Sequence, residues 1–167
     1  VVQWSWNNGD NQKWKFIENE DGTYKVINKQ NGDDYCLTLE GDSNLNAGKI
    51  KVEKWEGKLN QRVVLYEVDG DDHPLDKDFI ESNEAYYIKV QSSNLYLTQV
   101  SDSAGARIVQ KEFEYGNKNQ LWKVSRNENA LYTLTNLGSM QGRVLDVING
   151  VNAQEQFVQM ADRTTPN

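Results

Sequence analysis

The sequence predicts an all-β domain built from a threefold repeat of four short strands, and three observations carry that prediction. An Asn-Gln pair recurs as Asn11-Gln12-Lys13-Trp14, Asn60-Gln61-Arg62-Val63 and Asn119-Gln120-Leu121-Trp122, with a lone Asn167 at the end; successive Asn residues lie 49, 59 and 48 positions apart. A second series, Cys36-Leu37-Thr38-Leu39, Tyr96-Leu97-Thr98-Gln99 and Val144-Leu145-Asp146-Val147, interleaves with the first at a similar rhythm. Between them, short apolar runs are divided by Asn, Gln, Gly and Asp with only 2 Pro, the composition of many turns joining short strands rather than of a helical bundle.

The elements follow in order. Tyr24-Lys25-Val26-Ile27, Lys49 to Trp55, Arg107 to Phe113 and Leu131 to Leu134 alternate apolar and polar side chains, the period-2 signature of strands with one buried face. With the two motif series, each period reads as four strands. The middle period is ten residues longer than the first, and the excess falls in the acidic segment Asp69 to Asp78, read as a loop insertion. The expected organisation is a single domain over 1–167, with repeats at about 1–30, 31–91 and 92–139 and a partial one at 140–167.

Bulk properties exclude several function classes. A net charge of −7 and a pI near 4.8, without a run of Lys or Arg, argue against nucleic acid or an anionic membrane surface as partner. No apolar stretch approaches the ~20 residues of a membrane helix, so no membrane insertion is expected. One cysteine, Cys36, cannot form an intrachain disulfide, and with one histidine, His73, no Cys/His zinc site can be assembled. The Asp69 to Asp78 segment does not follow the spacing of a calcium loop, so no metal or cofactor is expected. No Ser-His-Asp set can be built around His73, which Pro74 follows, and no Gly-rich phosphate loop occurs; the chain is therefore expected not to be an enzyme. The amino end, Val1-Val2-Gln3-Trp4, reads as a processed or cut end.

These motifs resemble the repeat of ricin-B-type lectins, in which a Leu-Asp-Val-like strand is followed by a Val-x-Gln-Trp-like strand and then Asn-Gln-x-Trp. Val2-Gln3-Trp4 through Asn11-Gln12-Lys13-Trp14 is a close match, whereas Val63 stands where the family has Trp. The resemblance implies a β-trefoil of twelve strands whose Gln-x-Trp residues knit a pseudo-threefold core. Residue roles agree: Trp14 and Trp122 are expected in the core, their indole N–H groups needing a polar partner that a buried Gln or Asn can offer. The resemblance further implies carbohydrate binding, with glycans of galactose type or plant and microbial polysaccharides as partners, and a secreted setting beside a glycan-degrading enzyme or a toxin.

A saccharide pocket needs an acceptor for paired hydroxyls, an aromatic ring for the apolar face of the pyranose, and an amide. In the resembled lectins these are the Asp of the Leu-Asp-Val strand, an aromatic about seven residues before Asn-Gln, and that Asn. No repeat here carries the whole set. The first has Trp4, Asn11 and Gln12 but no upstream Asp; the second has Thr38, Glu53 and Asn60; the third has Thr98, Glu112 and Asn119; the last has Asp146, Met160 and Asn167. Trp55 lies two residues beyond Glu53, on the same strand face, where a register shift restores a platform. The candidate carbohydrate-binding residues are Trp4, Asn11, Gln12, Asp146, Trp55 and Asn60.

The ends leave three arrangements open. The Leu145 strand can fill the place of a missing or permuted first strand, which brings Asp146 beside Trp4 and Asn11 and leaves Gln154 to Met160 surplus. Alternatively, the chain is a stretch of a tandem-trefoil protein, or two chains exchange end strands as a homodimer. The competing function is protein binding, as a toxin's receptor-binding component or a protease inhibitor.

Overall fold

The alternating segments become strands in the computed structural model, which describes residues 6–41, 46–67, 80–147 and 156–161. The strands are β1 (Trp14–Glu18), β2 (Tyr24–Asn28), β3 (Tyr35–Leu39), β4 (Ile50–Lys54), β5 (Val63–Tyr66), β6 (Glu84–Val90), β7 (Tyr96–Gln99), β8 (Ile108–Lys111), β9 (Leu121–Arg126), β10 (Tyr132–Asn136), β11 (Val144–Val147) and β12 (Gln156–Ala161). Among the described residues the helical pieces are 3-10 turns, and three of these, Asp10–Gln12, Leu59–Gln61 and Lys118–Gln120, carry the Asn-Gln pairs.

Six strands close into a ring by antiparallel pairing in the order β1, β2, β5, β6, β9, β10 and back to β1. Closure removes the open edges that an isolated sheet would present. The remaining strands form three hairpins, β3–β4, β7–β8 and β11–β12, which meet one another where β12 pairs β4 and Lys49 bridges Val109. A six-stranded barrel with three hairpins across one end is the β-trefoil.

Four strands follow each Asn-Gln turn, so the twelfth strand is β12. This corrects the expectation that residues 154 to 160 are surplus: 156–160 pair with β11 on one side and β4 on the other. The strand expected at Val2 to Trp4 and the loop insertion at 69–78 lie outside the described residues.

The threefold relation extends to the core. Trp14 pairs with Asn28, Val63 with Val90 and Trp122 with Asn136, each at the same place in its hairpin. Trp14 and Trp122 are wholly buried, and their indole N–H groups donate to the carbonyls of Leu145 and Leu97, 3.0 Å away in both cases. The partner is thus a backbone oxygen rather than the expected Gln or Asn side chain; the neighbouring hairpin strand supplies it because its carbonyl faces the barrel. The Asn amides serve the turns instead: Asn28 Nδ2 donates to Asn11 O and Asn136 Nδ2 to Asn119 O, both at 2.9 Å. Where the second repeat has Val63, it also has Val90, so both members of this Trp–Asn pair are replaced together.

Candidate functional site

Each Asn-Gln turn places its Gln side chain between two segments that local sequence does not join. Gln12, Gln61 and Gln120 are buried, and their Oε1 atoms accept from the backbone N–H of Asn7, Glu56 and Glu114 at 3.1, 2.7 and 2.9 Å. Their Nε2 groups donate in turn to the next-to-last residue of β11, β3 or β7: Asp146 Oδ2 at 2.8 Å, Thr38 Oγ1 at 3.4 Å and Thr98 Oγ1 at 3.2 Å. Gln61 and Gln120 also donate to Lys54 O and Glu112 O at 2.7 Å. Because one end of each amide faces a donor and the other faces acceptors, its orientation is determined.

The first turn differs from the other two in meeting a carboxylate. Asn11 Nδ2 donates to Asp146 Oδ1 at 2.8 Å and reaches Val147 O at 3.4 Å, while Gln12 takes the other carboxylate oxygen. β11 therefore stands beside the first turn as β3 and β7 stand beside the second and third. Asp146 is wholly buried, which pushes its carboxyl from 3.8 up to about 7; the hydrogen bonds from Gln12 and then Asn11 oppose that rise. An ionised carboxylate can accept about four hydrogen bonds, and these two amides supply one to each oxygen.

The second repeat is laid out differently. Asn60 Nδ2 donates to Leu39 O at 2.9 Å, while its Oδ1 is buried without a hydrogen-bond partner among the described residues. Thr38 gives its hydroxyl proton to Cys36 O at 3.1 Å, as Thr98 does to Tyr96 O at 2.9 Å. Glu53, where the family set has its aromatic, pairs with Lys51 Nζ at 2.7 Å.

Trp4 lies outside the described residues. Trp55 is half-buried, with Lys25 Nζ 5.2 Å and Arg62 Cζ 6.0 Å from its ring centroid. Arg62 is itself held by Asp21 Oδ2 at 2.6 Å and Gly57 O. The Gln contacts identify an aromatic position that the family spacing misses: Trp6, Trp55 and Phe113 each directly precede the residue whose N–H bonds the Gln Oε1. Phe113, 38% exposed, packs against Tyr87 and Tyr96 at centroid distances of 5.1 and 5.2 Å. The signal was present as a near-constant offset, six residues before Gln12 and Gln61 and seven before Gln120.

Comparison with known proteins places this geometry. Among solved structures, the designed threefold-symmetric protein ThreeFoil is similar with a TM-score of 0.63 and 21% identity over 93% of this chain and 92% of that one. The C-half of an earthworm R-type lectin in complex with GalNAc is similar with a TM-score of 0.52 and 16% identity over 93% of this chain and 92% of that one. An exo-β-1,3-galactanase from Clostridium thermocellum has a TM-score of 0.63 and 19% identity over 90% of this chain, which spans only 27% of that enzyme. At these identities the structures establish the fold. No curated relative matches by sequence. The family described as ricin-type beta-trefoil lectin domain-like matches residues 1–55 and 78–161, and the chain belongs to that family.

Proposed function

We propose that this chain binds carbohydrate without catalysis, through a principal site around Asn11, Gln12 and Asp146 with Trp4 as its aromatic platform. The observation that supports this most is the carboxylate of Asp146 seated on two side-chain amides, while the other two turns meet Thr38 and Thr98. A carboxylate with unused acceptor capacity takes hydroxyl protons from a vicinal diol, and the gain is large where water is excluded. Because Asp146 is wholly buried, a sugar hydroxyl reaches it only when its cover shifts, and binding favours the ionised form.

A second, weaker site lies at Asn60 and Trp55. The orphaned Asn60 Oδ1 accepts a hydroxyl there, but Thr38 offers no carboxylate. Shallow sites for well-hydrated ligands bind weakly one at a time, so useful affinity comes from several sites acting together. Galactose-type sugars or plant and microbial polysaccharides are the ligands of this reading, in line with the GalNAc named for the earthworm lectin structure. An extracellular setting beside a glycan-cleaving or toxic partner belongs to the same reading; a galactanase and a mosquitocidal holotoxin are among the similar folds.

The test is tryptophan fluorescence during titration with galactose, GalNAc, xylan and a soluble glucan, repeated with Asp146→Asn, Trp4→Ala and Trp55→Ala. A saturable change that weakens at least about tenfold in Asp146→Asn, and strengthens as pH rises through about 7, supports the principal site. A flat response to every sugar overturns the reading and turns attention to protein partners, for which the internally satisfied Thr38 and Thr98 are the favouring observation.

A further inference from the structure

Beside the first turn, a cleft of about 490 Å³ lined by residues other than Asp146 opens between that turn and the β9–β10 connection. Lys13, Lys29 and Arg126 converge on it, together with Asn8, Asn127 and Asn129. Its described lining holds no acidic residue, although the chain as a whole carries a net charge of −7. Lys13 and Lys29 are positioned by one carboxylate: Asp10 Oδ1 accepts from their Nζ atoms at 3.3 and 2.9 Å. That carboxyl lies below its usual range, chiefly because of the bond from Lys29. The Arg126 guanidinium is exposed and makes no hydrogen bond or ion pair with a described residue. Among the described lining residues, three cations are thus gathered, two of them sharing the Asp10 carboxylate, in a recess that also holds the amides of Asn8, Asn127 and Asn129.

We propose that this cleft binds a compact anionic group, a sulfate, phosphate or carboxylate, as carried by an acidic saccharide. Lysine and arginine charges held in a concave, amide-lined site donate charge-assisted hydrogen bonds to such an oxyanion, and Arg126 supplies a planar fork not yet engaged. The site is separate from the Asp146 carboxylate, which would repel the same group. It does not depend on the carbohydrate reading above, because the recognised chemistry is the anion.

The experiment follows backbone amide shifts by NMR during titration with galactose 6-sulfate, galactose and inorganic sulfate. The proposal expects saturable shifts in residues 8–13, 29 and 126–131 with galactose 6-sulfate, absent with galactose and reduced at high salt. Arg126→Gln and Lys29→Gln, both exposed positions whose folding is checked by the unchanged remainder of the spectrum, each weaken binding about tenfold. Asp146→Asn leaves these shifts in place, which separates this site from the proposed sugar site. Equal affinity for inorganic sulfate and galactose 6-sulfate retains the anion site and makes a free anion its occupant, while tighter binding of the sulfated sugar assigns it to an acidic glycan. No saturable shift in these residues with either anion, or shifts indifferent to Arg126→Gln, overturns the proposal.

Discussion

Replacing Asp146 by Thr makes the first Asn-Gln turn chemically like the other two, and the structure sets what this does to stability at each pH. Burial raises the folded-state carboxyl from 3.8 to about 7, so the unfolded chain ionises this residue first. Below about pH 4 both states are protonated and the fold carries no penalty. Between about pH 4 and 7 the unfolded state binds fewer protons, and the contribution of Asp146 to stability falls; above about 7 both states are ionised and the loss is complete. The gap corresponds to about 4 kcal/mol. A Thr at this place accepts from Gln12 and donates to the carbonyl two residues back, as Thr38 and Thr98 do. Asn11 keeps only its 3.4 Å contact with Val147 O, which costs about 1 kcal/mol. The variant is therefore expected to be about 1 kcal/mol less stable than the parent at pH 4 and about 3 kcal/mol more stable at pH 8. Urea unfolding of both proteins from pH 4 to 8 measures the difference. Other carboxylates, such as Asp21, held at about 2 chiefly by the Thr23 hydroxyl, cancel in the subtraction. Parallel pH profiles would refute the claim that burial raises the Asp146 carboxyl in the folded protein.

Three further outcomes are expected, all read by the same denaturation measurement. Val63→Trp, which restores the family residue, destabilises by about 1–3 kcal/mol, because Val63 is 1% exposed and the larger ring has to displace packed core side chains. Gly138→Ala costs about 2 kcal/mol: an added Cβ lies 2.8 Å from the backbone nitrogen of Asn119, which the adjacent 3-10 turn holds in place. Ala47→Gly stabilises by about 0.5–1 kcal/mol, since Ala47 has φ of 73° and relief of that left-handed conformation exceeds the added entropy of the unfolded chain. An unchanged midpoint in Ala47→Gly would place the turn in a different conformation in solution.

Much of the fold was legible in the sequence because its signals are local. Side-chain alternation acts over a few residues and marked Tyr24 to Ile27, which falls within β2, while recurrence of a short motif marked Cys36 to Leu39 and Val144 to Val147, which fall within or coincide with β3 and β11. The recurrence of Asn-Gln likewise marked three equivalent turns, since each needs the same side-chain bridge. Tertiary structure alone decided matters that join distant segments. Asp146 meets Asn11 across 135 residues, and only ring closure through β10 and β1 brings β11 to that turn. The aromatic position shared by Trp6, Trp55 and Phe113 was hidden by one extra residue in the third repeat, which breaks a fixed spacing but not the hydrogen bond that defines it. Residues 156–160, Gln-Phe-Val-Gln-Met, lack the alternation of a half-buried strand, and their pairing was settled by the edges that β11 and β4 offer, because a strand's partners are a property of the sheet rather than of its own sequence.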